Sequence, residues 1–262
     1  MQIYANYHTH TYRCGHATGE DREYVEKAIE CGYKILGFSD HTPYPVPGFV
    51  SGMRIKLEET DGYFASLESL RKEYKEYIDI YFGVEAEYFP EYFDALTEFL
   101  RDYPLDYMIM GNHFVPCEHK GTYIGGDFKD PAALHMYTKN VIEGLSTGRF
   151  MYLAHPDLPR YTGPNKEEEL EKCYREICEA ALRLNIPLEI NMLGYTRRPA
   201  SVYPNDKFFD IAKETGNDVI IGVDAHFPEA LANEAAIDSC VEIATSRGLN
   251  LLKEIKIEKK CK

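Results

Sequence analysis

Residues 3–41 read IYANYHTHTYRCGHATGEDREYVEKAIECGYKILGFSDH. Two short apolar runs, IYANYH (3–8) and ILGFSD (35–40), have strand length. Between them EDREYVEKAIEC (20–31) carries helical spacing, and Gly32 follows where a helix should stop. Strand, helix, strand in this order predicts two parallel strands joined by a crossover helix. Both runs end in titratable residues: His8 and His10 on the first, Asp40 and His41 on the second. Side chains alternate along a strand, so His8 and His10 point the same way. Two imidazoles on one face can share a metal ion.

The alternation continues through the chain. Further strands are expected at IYFGVEAE (80–87), YMIMGNHF (107–114), FMYLAH (150–155), LEIN (188–191) and VIIGVDAH (219–226). Helices are expected over 59–77, 91–101, 131–145, 166–184, 205–216 and 228–248. In the fifth helical stretch Leu170, Cys173, Tyr174, Ile177, Cys178 and Ala181 form one apolar face. Glu167 to Glu169 open that helix and suit its dipole. Strand–helix units in series predict an α/β fold with a parallel sheet wound by helices. No linker or repeat divides the chain, so one domain across 1–262 is expected. Long loops fall at HTPYPVPGFVSG (41–52) and at CEHKGTYIGGD (117–127), the second hairpin-like.

Composition narrows the function. The formal net charge is −14, and a general nucleic-acid binder needs a basic face. The basic KIEKKCK tail is short and reads as solvated. There is no 18-residue apolar run and no basic-then-apolar leader, so a soluble cytoplasmic protein is expected. The seven cysteines are odd in number and contain no CxxC, which disfavours a disulfide framework or a zinc knuckle. Cys14 lies near the opening histidines and reads as a bystander.

The titratable residues concentrate at strand ends. Glu85 and Glu87 end the third strand, His113 the fourth, His155 the fifth, and Asp224 with His226 the seventh; His16 lies in the loop after the first. Of nine histidines only His119 and His135 fall elsewhere, and both take an ordinary surface reading. Active sites of barrels built from such units collect at the C-terminal strand ends. A metal centre at that end is therefore expected. Imidazoles with carboxylates suit zinc, manganese or iron(II) better than calcium or magnesium.

HTH followed by a loop histidine, SDH, a strand-end glutamate, GNH, AHP and VDAH together resemble the polymerase-and-histidinol-phosphatase (PHP) family of metal-dependent phosphoesterases. The resemblance runs from the first strand to the seventh. Within the family, the insertion, HPDLPR (155–160) and GYTRRPASVYP (194–204) look most like histidinol-phosphate phosphatases. The resemblance implies a distorted (β/α)7 barrel, TIM-barrel-like, holding three divalent transition metals. It places His8, His10, Glu85 and Asp224 on the first metal. Glu85, His113 and His155 hold the second, and His16, His41 and His226 the third. Asp40 would then orient His41. Asn112 stands where a small or hydrophobic residue is expected, without affecting a ligand.

Neighbouring metals acidify a shared water and clamp a phosphoryl oxygen. A metal-bridging hydroxide attacking phosphorus, with no phosphoenzyme, is the expected route. Histidinol phosphate would give histidinol and phosphate, a step of histidine biosynthesis. Arg160 and Arg197, each shortly after a strand end, are the expected phosphate contacts. Arg13 and Arg198 have no such argument. Asp157, two residues after His155, is the candidate general acid. The competing readings are a protein-tyrosine phosphatase of the same family, a phosphodiesterase, and a metal-binding module without turnover. Net charge and a full ligand set oppose the last two.

Overall fold

A computed structural model describes residues 3–257. The end of the KIEKKCK tail, Cys261 included, lies outside the described residues. Four parallel strands come first: β1 (Ala5–Asn6), β2 (Ile35–Phe38), β3 (Asp79–Ala86) and β4 (Tyr107–Met110), hydrogen-bonded in that order. Helices α1 (Asp21–Glu30), α2 (Thr60–Glu73) and α3 (Phe93–Leu100) make the crossovers. The 117–127 insertion is a hairpin, β5 (Phe114–Val115) antiparallel to β6 (Thr122–Tyr123). Then come α4 (Pro131–Ser146), α5 (Lys166–Leu184), β7 (Leu188–Asn191) and the short α6 (Met192–Thr196). The chain continues with α7 (Asp206–Thr215), β8 (Asp218–Gly222), α8 (Glu234–Arg247) and β9 (Asn250–Leu251).

The fifth expected strand is less regular than its sequence. Residues 151–154 bond to both neighbours: Met151 N donates to Met108 O at 2.8 Å and Leu153 N to Pro187 O at 3.1 Å. Only Leu153 keeps bridge geometry, to Met110 and to Leu188. Leu153 thus joins β4 to β7. At the other seam Thr9 bridges Ala225, and His10 N donates to Ala225 O at 2.9 Å. These links close a distorted, TIM-barrel-like α/β fold. Near its start β8 pairs with β9 rather than with β1. The Tyr7 hydroxyl holds the segment after β9, donating to Ile255 O at 3.0 Å and accepting from Ile255 N at 3.1 Å.

Alternation sets the two cores. Outward side chains such as Leu36, Phe38, Val84, Leu188 and Val219 pack under the helices. Inward ones, Ala5, Tyr7, Ile35, Tyr107, Ile109, Tyr152, Ala154 and Ile220, fill the barrel. Tyr107 fits only because Gly37 and Gly83 lack side chains; a Cβ at either would overlap it. The Tyr107 hydroxyl then bonds Tyr7 O at 2.7 Å. Helix ends follow the sequence signals. Glu20 and Glu23 form a capping box on α1, and Gly216 (φ 88°) closes α7 in the left-handed region.

Candidate metal centre

The C-terminal strand ends meet in one buried cluster. Asn6 begins it: its Oδ1 accepts from His8 N at 3.2 Å and Val223 N at 2.9 Å, and its Nδ2 donates to Thr9 Oγ1 at 2.8 Å. That side chain stitches β1 to β8 while His8 and His10 both enter the barrel mouth. Glu85, at the end of β3, is the hub. Its carboxylate lies 2.8 Å from His155 Nε2, 2.9 Å from His41 Nδ1, and 3.6 Å from His10 Nε2 and His113 Nε2. Asp224 Oδ1 lies 3.1 Å from His10 Nε2, 3.3 Å from His226 Nδ1 and 3.5 Å from His8 Nε2. The His16 ring centroid is 4.9 Å from that of His226 and 5.2 Å from that of His41.

All nine residues expected from the sequence therefore converge. Several overlapping groups bring donors within 4.8 Å of one another: His8–His10–Glu85, His8–His155–Asp224, His41–Glu85–His113 and His10–His41–His226. The last group has His10 where His16 was expected. His16 Nδ1 instead lies 3.0 Å from Cys14 O, and its ring covers the outside of the group.

The donor set fits a divalent cation. His8 Nε2, His10 Nε2, Glu85 Oε2 and Asp224 Oδ1 are buried and have no hydrogen-bond partner among the described residues. Leaving such atoms unsatisfied costs about 1–3 kcal/mol each. Here all four face one another, an arrangement that a cation could satisfy. Both carboxylates are ionised, and facing carboxylates hold His8 up at about 10, and His10 and His155 up as well, against their burial, so a bound cation would displace protons from these three rings. Burial pushes the Glu85 carboxyl up, yet the facing imidazoles, His8 and His155 among them, hold it well below the carboxylate range. Asp224 is likewise held low by His8 and His10 against its burial. Burial drives His41 and His226 down to about 3, leaving neutral rings with a free lone pair. His155 (φ 28°) and Asp224 (φ 55°) hold left-handed backbone, which costs about 1–3 kcal/mol per residue and clusters at functional sites.

A surrounding layer fixes these side chains. Asp40 Oδ1 accepts from His41 N at 2.8 Å and lies 3.4 Å from His10 Nδ1. Asp40 therefore steadies the His10 ring, not the His41 ring. Glu87 Oε2 accepts from His113 N and Phe114 N, both at 3.0 Å. Its other oxygen pairs with Arg54 Nη2, and Arg54 Nε donates to Glu118 Oε2 at 2.6 Å. Arg54 thus ties the loop after β2 to the hairpin, and it lines the cavity. The sequence reading passed over Arg54 and Glu189. Arg54 sits in an unstructured loop with partners 33 and 64 residues away.

The cavity has the cluster on one side and Phe114, Tyr123, Leu158, Leu193 and Tyr203 on the other. Arg197 lines it and makes no ion pair among the described residues. Arg160 does not line it: Nε pairs with Asp127 at 2.7 Å and Nη1 donates to Ala200 O at 2.9 Å. Asp157 is buried outside the lining, where Oδ2 accepts from Asn205 N at 2.5 Å. Burial pushes its carboxyl up to about 7. The carboxyl caps the segment before α7. His119 packs on Phe49, and His135 pairs with Glu169 at 2.8 Å on the surface.

Comparison with known proteins agrees with this geometry. The PHP domain model matches residues 6–192. A Deinococcus radiodurans protein named "Probable histidinol-phosphatase" is 28% identical over 232 residues, covering 84% of this chain and 85% of that protein. The histidinol-phosphatase of Bacillus subtilis is 25% identical, covering 89% and 98%. Histidinol phosphate phosphatase of Lactococcus lactis, solved with zinc, L-histidinol and phosphate, superposes with a TM-score of 0.74 at 21% identity, over 97% and 99% of the two chains.

Proposed function

This chain belongs to the PHP domain family, and from that premise we propose that it is a metal-dependent phosphomonoesterase converting L-histidinol phosphate to L-histidinol and phosphate. The observation that carries the chemistry is the set of buried, unpartnered donor atoms converging around Glu85. The relatives' names, and the histidinol and phosphate held by the Lactococcus protein, support the substrate.

We assign His8, His10, Glu85 and Asp224 to one metal, Glu85 with His113 and His155 to a second, and His16, His41 and His226 to a third. Zinc, manganese or iron(II) suits these donors. Such ions, when bound, supply Lewis acidity and an acidified water. The chain's own residues do the rest. Glu85 and Asp224 stay ionised and draw the imidazoles inward. Arg197 is free to meet a phosphoryl oxygen. Arg54 braces the wall through Nε and Nη2, which Glu118 and Glu87 hold, and its Nη1 has no partner among the described residues. Phe114, Tyr123 and Tyr203 form an aromatic wall for the ring of the leaving alcohol and keep water from its path.

The test is phosphate release from L-histidinol phosphate, beside a phosphotyrosine peptide and a dinucleotide diester, with manganese or zinc and then with a chelator. Chelator-sensitive release from histidinol phosphate alone is expected. Preference for the peptide would replace this substrate with a protein phosphotyrosine. No release under any metal would overturn the reading.

A further inference from the structure

Glu189 on β7 is fully buried inside the barrel, directly beneath the cluster. Its carboxylate is saturated. Oε1 lies 2.8 Å from His8 Nδ1 and accepts from the Tyr152 hydroxyl at 3.3 Å. Oε2 accepts from His155 N at 2.9 Å and from Asn191 Nδ2 at 2.8 Å. Asn191 Nδ2 in turn donates to Asp224 Oδ2 at 3.0 Å. One carboxylate therefore reaches three residues of the cluster: the ring of His8, the backbone of His155, and Asp224 through Asn191.

The space for it is built. A Cβ at Gly222 would overlap Glu189 Oε1. Glu85 has the same arrangement with Gly111. The registers also match. Glu85 pairs with Ile109 and is cradled two residues further on, and Glu189 pairs with Ile220 and is cradled two residues further on. The barrel thus holds two inward carboxylates by one device, and only the first is among the residues expected from the sequence.

We propose that Glu189 is the positioning residue that makes His8 a ligand through Nε2. An ionised carboxylate only accepts hydrogen bonds, so His8 Nδ1 must carry a proton toward Glu189. When His8 binds a cation it gives up its other proton, and the lone pair is then on Nε2, the atom left unpartnered beside Glu85 and Asp224. Partners of this kind fix ring orientation, and losing one weakens metal affinity about 10- to 100-fold. The inference rests on the metal-centre reading above.

Glu189→Gln keeps the shape and turns one acceptor into a donor. Every neighbour of Glu189 is itself a donor, so the amide nitrogen must face either His8 Nδ1 or the His155–Asn191 pair. The experiment titrates the metal-free protein with zinc against a chromogenic chelator, and follows metal-free unfolding in parallel. The expected result is zinc affinity about 10- to 100-fold weaker in Glu189→Gln, with metal-free stability close to wild type. Glu189→Asp, which keeps an acceptor, should lose less; it also serves if the glutamine variant fails to fold. In zinc-loaded wild type, ¹⁵N histidine spectra should show His8 protonated at Nδ1 and metal-bound at Nε2. Wild-type affinity in Glu189→Gln, or an affinity loss no larger than its loss of metal-free stability, would overturn the role of Glu189 alone. A wild-type protein that takes up no zinc would overturn the metal centre itself, and this inference with it.

Discussion

Replacing Arg54 with methionine tests how the wall of the site is held. The guanidinium is 5% exposed and stands between Glu87 and Glu118, whose side chains are 1% and 12% exposed. Burial alone would lift the Glu87 carboxyl, but Arg54 and then His113 hold it at about 2, against an ordinary 4.5. Each tenfold change in proton affinity is worth about 1.4 kcal/mol, so Arg54 and His113 together contribute about 3 kcal/mol, led by Arg54. Breaking a buried pair by removing one partner costs about 3–5 kcal/mol, which agrees. Arg54→Met should therefore lose about 3 kcal/mol at pH 7. The sign with pH follows. In wild type the Glu87 contribution is complete above pH 4.5 and is lost only as pH falls toward 2. In the variant burial dominates and raises that carboxyl above its unfolded value. The variant's deficit should then shrink between pH 7 and pH 5. Urea unfolding of metal-free protein, followed by circular dichroism at both pH values, measures it. Glu87→Gln in the Arg54→Met background should recover part of the loss. A deficit below about 1 kcal/mol, the range of an exposed ion pair, would refute the reasoning. So would an equal deficit at both pH values.

Glu85→Ala removes the hub that faces His41, His113, His155, His8 and His10; elemental analysis should find the metal content collapsed, and phosphate release with it. Arg197→Ala should lower kcat/KM for the phosphate ester by about 10- to 150-fold, one charge-assisted hydrogen bond, without changing thermal stability. Arg160→Ala should leave the same kinetics within a few fold, since its guanidinium is held by Asp127 and Ala200. Gly83→Ala pushes a methyl into the Tyr107 ring. Overpacking and the loosened tyrosine hydrogen bond should cost about 2–4 kcal/mol. A thermal melt should show that as a fall of about 5–15 °C.

The alternation of strand and helix was legible because each strand is short, apolar and followed by a helix with its own stop signal, as at Gly216. So was the cluster, because residues at strand ends are placed by the strands and not by loop detail. What the sequence hid was whatever depends on loop paths. Asp157 and Arg160 follow His155 closely, yet a left-handed residue turns the chain there, carrying one beneath α7 and the other out to Asp127. Arg54 was hidden for the opposite reason: its loop has no periodicity, and both its partners come from distant elements. The regularity of the fifth strand was overestimated. FMYLAH has strand composition, but 151–154 keep only one bridged residue, Leu153.

Glu189 was hidden differently, within a strand that was read correctly. LEIN shows a glutamate in an apolar run, and such a residue is ordinarily placed on the solvent face. In a closed barrel the inward face of a strand is interior too, and the interior is narrow. An inward carboxylate needs a missing side chain on the neighbouring strand and donors to saturate it. This chain supplies both. Gly111 answers Glu85, Gly222 answers Glu189, and Gly37 with Gly83 answer Tyr107. The glycines follow their partners' paired residues by the same two-residue offset for both carboxylates. That offset is the sequence signal: a strand glutamate whose parallel neighbour carries glycine two residues beyond the paired position points into the barrel. Because the inward face leads up to the mouth, such a carboxylate lies among or just beneath the strand-end histidines. Glu85 meets the imidazoles directly. Glu189, lower in the barrel, meets the back of one imidazole and so sets which nitrogen the cluster can use.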